Sequence, residues 1–138
     1  MNESHSIRIG NSMAEVASAL DEAVNWIEPL QVSAKAQYFL SLAIEELATN
    51  WIKYGCRDSG AHVMTFDLVV RDGRLTVTAQ DDGLPFNPMN APAPSTSLPL
   101  EKRDPGGLGI LLLRKMADEM SYEHREGMNI LTLEKALH

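Results

Sequence analysis

Apolar and polar residues alternate along five segments of this chain, as they do in strands that bury one face. The alternation predicts strands over residues 6–9, 63–70, 74–80, 122–125 and 129–134. Asp72-Gly73 and Glu126-Gly127 separate consecutive strands and are typical of tight hairpin turns. The last four strands are therefore expected to form two antiparallel hairpins.

In other segments the apolar residues recur every three to four positions, which is the period of an amphipathic helix. This spacing predicts helices over residues 12–27, 33–55 and 110–120. Asn11 or Ser12 can cap the first helix, and Glu15 stands three residues after Ser12 as in a capping box. Pro29 ends that helix because its ring cannot continue the hydrogen-bonding pattern.

The order of elements predicts an α+β fold. Strands joined by hairpins and helices that cluster in the sequence favour a two-layer α/β sandwich, with one mixed, mostly antiparallel sheet and helices on one face. We find no internal repeat and no linker, so residues 1–138 are expected to form a single domain. Residues 81–105 hold all but one of the seven prolines and show no period, and a loop of that length is usually functional or mobile.

Composition narrows the possible functions. The net charge of −7 argues against direct nucleic-acid binding, because no basic stripe offsets it. A single cysteine, Cys56, excludes an internal disulfide, and the four histidines lack the spacing of a zinc site. No apolar run has the roughly 20 residues that cross a bilayer, and the polar first residues do not resemble a signal peptide. We therefore expect a cytoplasmic protein without membrane contact.

The second predicted helix carries a charged ridge. At about 100° per residue, Glu46, Asn50 and Lys53 lie close together beside an apolar stripe. A carboxylate, a neutral oxygen ligand and a cation in line suit a metal-bound phosphate, as general base, Mg²⁺ ligand and charge clamp. A solvated helix flank with a Glu–Lys pair explains the same residues.

Two glycine motifs follow. Asp81 ends a predicted strand, where its carboxylate can accept a hydrogen bond from the exocyclic amine of adenine, and Gly83 lets the backbone approach a flat base. Residues 106–110 open the third helix, whose free N–H groups suit a phosphate. A plain turn and a hinge are the alternatives. The glycines form neither a Walker A loop nor a dinucleotide-binding fingerprint.

The order of the three motifs resembles the GHKL ATPase superfamily, and most closely the bacterial anti-sigma factor serine/threonine kinases. The matching segments are residues 45–50, 81–88, 107–110, 114–119 and 126–133, and the resemblance covers about residues 7–135. The superfamily often has Asp-x-Gly-x-Gly where this chain has Pro85 in the last position, and the anti-sigma kinases tolerate that proline. The resemblance implies the Bergerat ATP-binding form of the α/β sandwich.

The resemblance also implies a role for each motif residue. Asn50 would coordinate Mg²⁺, Glu46 would act as general base, and Lys53 would lie against phosphate oxygens. Asp81 would bind the adenine amine above Gly83, and residues 87–105 would form an ATP lid. The remaining implied nucleotide-binding residues are Gly107, Leu108, Gly109, Ile110 and Thr132.

The family's usual activity is to phosphorylate a small antagonist protein on serine or threonine with ATP and Mg²⁺, and to sequester a sigma factor, generally as a homodimer. The resemblance implies that activity here. The alternative is an ATP-binding regulatory module that sequesters a partner without transferring phosphate. Both share every ATP-binding residue, and only Glu46 favours catalysis.

Overall fold

The computed structural model describes residues 1–56, 58, 60–87 and 106–138. The elements in chain order are β1 (Glu3–Gly10), α1 (Met13–Ile27), a 3₁₀ turn (Glu28–Leu30), α2 (Ala34–Asn50), a π turn (Trp51–Gly55), β2 (Val63–Arg71), β3 (Arg74–Asp81), α3 (Gly106–Met116), β4 (Glu119–Arg125) and β5 (Met128–Ala136). None of the helices in the described part of the chain has the length and apolar character that a membrane crossing needs.

The five strands form one sheet in the order β1-β2-β3-β5-β4. All four neighbouring pairs are antiparallel, so the described sheet contains no parallel pair. Both predicted hairpin turns are confirmed: Asp72 and Gly73 have φ of 54° and 75°, and Glu126 and Gly127 have 54° and 78°. Two successive positive φ angles give the turn a twist that matches the strands on either side.

The helices cover one face of this sheet, which confirms the two-layer α+β prediction. Alternate side chains of β2 and β3 are buried on that face, Phe66 and Val77 among them, while their neighbours are partly exposed. Helix α2 packs between α1 and α3 and contacts β3 and β5. Its middle turns supply the fully buried Phe39 and Ile44, so α2 is fixed by the core along most of its length.

The start of α1 follows the predicted cap with one difference. Ser12 is the cap, and its hydroxyl accepts from the Glu15 N–H at 3.3 Å. The Glu15 carboxylate reaches back to the N–H of Gly10 at 3.0 Å, two residues before the cap. Asn11, the other candidate, instead bonds the carbonyl of Gly60 and the N–H of His62.

The third helix was predicted too late in the chain. It begins at Gly106 and ends at Met116, and Met120 lies in β4 opposite Leu133. The Asp118 carboxylate accepts from the Ala136 N–H at 2.7 Å, which holds the chain against β5 directly after the helix. Of the predicted lid at residues 87–105, only residue 87 belongs to the described part of the chain.

Candidate active site

A pocket opens between the C-terminal end of α2 and the ends of β3 and β5. Its lining is apolar with a few polar groups, as in most small-molecule sites. The lining residues are Leu47, Asn50, Trp51, Gly55, Met64, Ala79, Asp81, Leu84, Phe86, Tyr122, Asn129 and Leu131.

At one end of the pocket, Asp81 and Asn129 face each other across the β3–β5 ladder. The Asn129 amide nitrogen donates to Asp81 Oδ1 at 3.1 Å and to the Leu84 carbonyl at 2.9 Å. Its amide oxygen accepts from the Phe86 N–H at 3.2 Å and from the Tyr122 hydroxyl. One buried amide therefore ties together β3, β4 and the segment after Asp81.

Asp81 combines burial with an uncommitted oxygen. Only 8% of the residue is exposed, and burial raises the pKa of its carboxyl despite the hydrogen bonds that oppose the shift. Both donors, the amide of Asn129 and the Gly83 N–H at 2.8 Å, reach Oδ1. Among the described residues none donates to Oδ2, so this oxygen is available to a ligand that carries a donor.

Gly83 is required where the segment after β3 crosses the end of α2. A β-carbon at Gly83 would collide with the carbonyl oxygen of Gly55 and would stand 2.9 Å from Asp81 Oδ1. The next N–H, that of Leu84, donates to the same Gly55 carbonyl at 3.1 Å. This close approach of backbone to backbone fixes one wall of the pocket against α2.

Asn50 lies at the last turn of α2 and is 9% exposed. Its amide nitrogen donates to the carbonyl of Glu46, one turn earlier, at 2.7 Å. That bond fixes the orientation of the side chain and leaves the amide oxygen outside it. The oxygen is the atom that a hard cation would use.

Glu46 lies beside the first turns of α3. Its carboxylate occupies the position that a β-carbon on Gly109 would need. Partial burial raises the pKa of Glu46, the neighbouring charge of Glu45 raises it further, and Lys53 lowers it. A half-buried carboxylate with a raised pKa has the properties of a general base.

The α2 helix ends in a wider turn than the sequence predicted. Residues Trp51–Gly55 form a π helix, in which the Cys56 N–H bonds the Trp51 carbonyl at 3.0 Å. Such turns advance less than 100° per residue and are frequent at functional sites. The ridge of Glu46, Asn50 and Lys53 therefore bends at its last member, and Lys53 is exposed but near enough to affect the Glu46 pKa.

The structure brings most of the predicted residues to two adjoining places. Asn50 and Asp81 line the pocket, and Gly83 lies beside it. At the exposed side of α2, the Glu46 carboxylate lies against Gly109 and within range of the charge of Lys53. The rest of the glycine motif lies in α3. Gly107 is in its first turn, Leu108 is 53% exposed, and Ile110 is in the core.

Thr132, which the resemblance implies as a nucleotide-binding residue, is not among the residues that line this pocket. It pairs with Thr78 and Ser121 on the face of the sheet opposite to the helices, since it is one residue out of phase with Asn129 and Leu131. A shift of one residue along a strand moves a side chain to the other face. The polar side chain of β5 that lines this pocket is that of Asn129.

Sequence reasoning did not pick out Asn129 or Tyr122, although a signal for Asn129 was present. In β5 the core-facing positions are Asn129, Leu131 and Leu133, so one polar residue interrupts an otherwise apolar series. A buried amide on an apolar face needs partners, and register with Asp81 would have supplied one. Tyr122 on the neighbouring strand carried no such signal.

The polar oxygen atoms of the pocket suit an adenine nucleotide with Mg²⁺. Asp81 is a buried residue whose Oδ2 can accept a hydrogen bond, and the Asn50 amide oxygen is a hard ligand at the same pocket. The described residues hold no group of three or more acidic, histidine or cysteine side chains that would cage a metal unaided. Mg²⁺ usually keeps several waters and binds through few protein oxygens together with substrate phosphates, so phosphates and water would have to complete a site at Asn50.

The sequence is similar to a family and to characterised proteins over nearly its whole length. The profile of the histidine kinase-like ATPase domain matches residues 9–135. The serine/threonine-protein kinase BtrW of Bordetella bronchiseptica is 28% identical over 127 residues, which are 88% of this chain and 88% of that protein. The serine-protein kinase RsbW of Bacillus cereus is 28% identical over 125 residues, 87% of this chain and 71% of that protein.

A solved structure shares the fold. The crystal structure of the RsbU and RsbW domains of a Mycobacterium tuberculosis protein superposes with a TM-score of 0.65 at 15% sequence identity. The match covers 98% of this chain and 32% of that one. The profile match over residues 9–135 confirms the superfamily predicted from the three motifs: the chain belongs to the family of histidine kinase-like ATPase domains.

Proposed function

We propose that this protein is an ATP-dependent protein serine/threonine kinase. The observation that carries the proposal is that α2 presents both a pocket-lining amide, Asn50, and one turn earlier a half-buried carboxylate, Glu46, whose pKa is raised. A nucleotide-binding domain needs the first of these, whereas phosphoryl transfer to a hydroxyl benefits from the second. Relatives at 28% identity carry the names of serine and serine/threonine kinases.

The base end of the pocket would orient the nucleotide. Asp81 Oδ2 accepts from the exocyclic amine of adenine, while Asn129 holds the other carboxylate oxygen and the Leu84 carbonyl in place. Leu47, Met64 and Leu131 supply apolar surface for the faces of the base. Guanine has a carbonyl oxygen where adenine has the amine, and that oxygen would face a carboxylate. The site therefore favours adenine.

The ridge of Glu46, Asn50 and Lys53, at the other end of the site, would perform the chemistry. Glu46 accepts the proton of a serine or threonine hydroxyl while the hydroxyl oxygen attacks the terminal phosphorus of ATP. The bond between that phosphorus and the bridging oxygen breaks, and ADP leaves with that oxygen. Lys53 lies close enough to the Glu46 carboxylate for its positive charge to lower the Glu46 pKa. It would also neutralise phosphate charge. Asn50 would hold Mg²⁺, which when bound spreads and neutralises the charge on the phosphates.

The partners in the proposal follow the resemblance seen in the sequence. The hydroxyl would belong to a small antagonist protein, and the kinase would also sequester a sigma factor, as a homodimer in the cytoplasm. The named kinases among the relatives support the class of reaction. The alternative activity, sequestration with ATP as an ordering ligand alone, uses the same pocket without Glu46.

Glu46→Gln tests the proposal. The amide keeps the size of the side chain but cannot accept the hydroxyl proton, so we expect transfer to a purified candidate antagonist to fall about 10²- to 10⁴-fold. Nucleotide affinity should stay unchanged because Glu46 is outside the pocket lining. Transfer is measured with ATP labelled on its terminal phosphate, and affinity by calorimetry with Mg²⁺ present.

Glu45→Gln is the matched control. Glu45 is the exposed neighbour of Glu46 on the same helix, so its loss should leave the rate near the wild-type value at neutral pH. Equal transfer by wild type and Glu46→Gln would refute the role of Glu46. Tight binding of the antagonist without any transfer by the wild-type protein would favour the sequestering module instead.

A further inference from the structure

The indole of Trp51 has a buried donor that no described residue accepts. Trp51 is 3% exposed and lines the same pocket as Asp81. Among the described residues, no acceptor lies within hydrogen-bonding distance of its Nε1. A buried N–H without a partner costs free energy, and such groups in native proteins call for an explanation.

Each of the other side-chain donor atoms in the described lining of the pocket makes at least one hydrogen bond. Asn50 donates to the Glu46 carbonyl, Tyr122 donates to Asn129, and Asn129 donates to Asp81 and to the Leu84 carbonyl. Of the polar side chains in the described lining, Trp51 alone has a donor with no acceptor. An adenine base presents ring nitrogens as acceptors, which the unpaired N–H of Trp51 could meet.

The indole is also held in a fixed position. Trp51 begins the π turn, and its carbonyl accepts the Cys56 N–H at 3.0 Å. Gly55 packs on the ring so closely that a β-carbon there would lie 3.0 Å from Trp51 Cδ1. The indole ring is therefore held closely against the backbone of the π turn.

We propose that the Trp51 Nε1–H group donates to a ring nitrogen beside the exocyclic amine of the bound base. Trp51 and Asp81 then recognise adenine as a pair, with a donor for the ring nitrogen and an acceptor for the amine. This assignment rests on the proposed function, because it needs a purine nucleotide in the pocket. It makes Trp51 a specificity-determining residue in addition to a part of the core.

Trp51→Phe removes the N–H and keeps an aromatic ring. Calorimetry would compare wild type and variant with ATP, 1-deaza-ATP and 7-deaza-ATP, since each analogue lacks one of the two ring nitrogens that flank the amine. We expect ATP to bind the variant about 3- to 10-fold more weakly, as for the loss of one hydrogen bond. For one of the two analogues, the substitution should cause no further loss.

The wild-type protein gives a second readout that does not depend on a variant. In ¹⁵N–¹H spectra, ATP should shift the Trp51 indole resonance and slow its hydrogen exchange. The resonance of Trp26 should stay in place, because that ring stacks on His5 and is not part of the pocket lining. This measurement decides the matter even if Trp51→Phe does not fold.

The outcomes separate the inference from the function on which it rests. If wild type binds ATP and Trp51→Phe binds it equally well, or if the loss is the same with both analogues, the donor role is refuted and the proposed function stands. A Trp51 resonance unmoved by saturating ATP has the same meaning. If wild type binds no nucleotide at all, the proposed function fails first.

Discussion

The two ends of the site are built in different ways. The base end joins residues far apart in the sequence: the hydrogen bonds of Asn129 to Asp81, Leu84 and Phe86 span 48, 45 and 43 residues. The phosphoryl end uses neighbours on one helix, Glu46 and Asn50, together with a glycine of α3. The first is a buried network, and the second is a half-exposed charged ridge.

This difference separates affinity from rate. A change in the buried network leaves polar groups without partners, so both nucleotide binding and folding should respond. A change on the ridge alters the position or charge of one carboxylate while the core stays intact, so rate should respond alone. Substitutions at the two ends should therefore have opposite profiles.

Gly109→Ala should reduce the rate strongly although it leaves Glu46 itself unchanged. A β-carbon there would take the space of the Glu46 carboxylate, which sits at the end of a flexible side chain and can move aside. Displacement of a catalytic group by about an ångström can reduce a rate about 10²-fold. Stability should be equal or higher because alanine favours helix over glycine by roughly 1 kcal/mol. Single-turnover transfer and urea unfolding measure the two quantities.

Leu112→Ala is the control for that substitution. Leu112 lies one turn further along α3, is 40% exposed and does not line the pocket, so its loss should change neither rate nor affinity. If Gly109→Ala transferred phosphate at the wild-type rate, Glu46 would not need the position that the structure gives it. A large loss of stability in Gly109→Ala would show that the Glu46 carboxylate cannot move aside for the added β-carbon.

Asp81→Asn should weaken ATP binding roughly 100-fold, because it replaces a charged acceptor by an amide whose nitrogen faces the adenine amine. Folding should not suffer in parallel. The amide oxygen can still accept from Gly83 and Asn129, and the cost of burying a charge disappears. Asp81→Asn therefore separates the effect of the base-end network on ATP binding from its effect on folding stability.

The stability difference between Asp81→Asn and wild type should depend on pH. Burial raises the pKa of Asp81 in the folded protein, so wild type loses stability as pH rises through the raised pKa and regains it as pH falls. Asp81→Asn has no such dependence. Its stability advantage should be present at pH 7 and absent below the ordinary carboxyl pKa of 3.8. Urea unfolding at both pH values tests this, and a variant less stable than wild type at pH 7 would contradict it.

The sequence was sufficient for local features and insufficient for long-range ones. Asp72-Gly73 predicted its turn because the required φ angles belong to the turn residues themselves. Glu46 and Asn50 were found together because the helical period places them on one ridge. Met120 was assigned to α3 because its spacing continues the helical period, whereas pairing with Leu133 places it in β4.

The base end shows the same limit. Asp81 was identified from its own motif, but its partner Asn129 is chosen by the β3–β5 register, which one sequence does not reveal. Thr132, the β5 residue that the resemblance implies, lies on the opposite face. The helical period places Trp51 on the apolar stripe of α2, but whether its N–H has an acceptor among the described residues depends on every neighbour that the fold brings near it.

The smallest effects should come from the charges that flank Glu46, and they should have opposite signs. Glu46 must be ionised to accept a proton, so the rate should rise with pH through a pKa above the ordinary 4.5. Glu45 raises that pKa and Lys53 lowers it. Glu45→Gln should therefore move the acid limb of the kcat profile to lower pH, and Lys53→Met should move it to higher pH.

High salt should bring the two profiles together, because both flanking side chains are exposed and their fields are screened over about 10 Å at 0.1 M. Lys53→Met should also lower the plateau if Lys53 contacts phosphate, so the position of the limb is the quantity to compare. Glu46→Gln should remove the limb altogether. Shifts in the same direction, or a limb that survives in Glu46→Gln, would mean that another group controls the rate and that the ridge does not act as a unit.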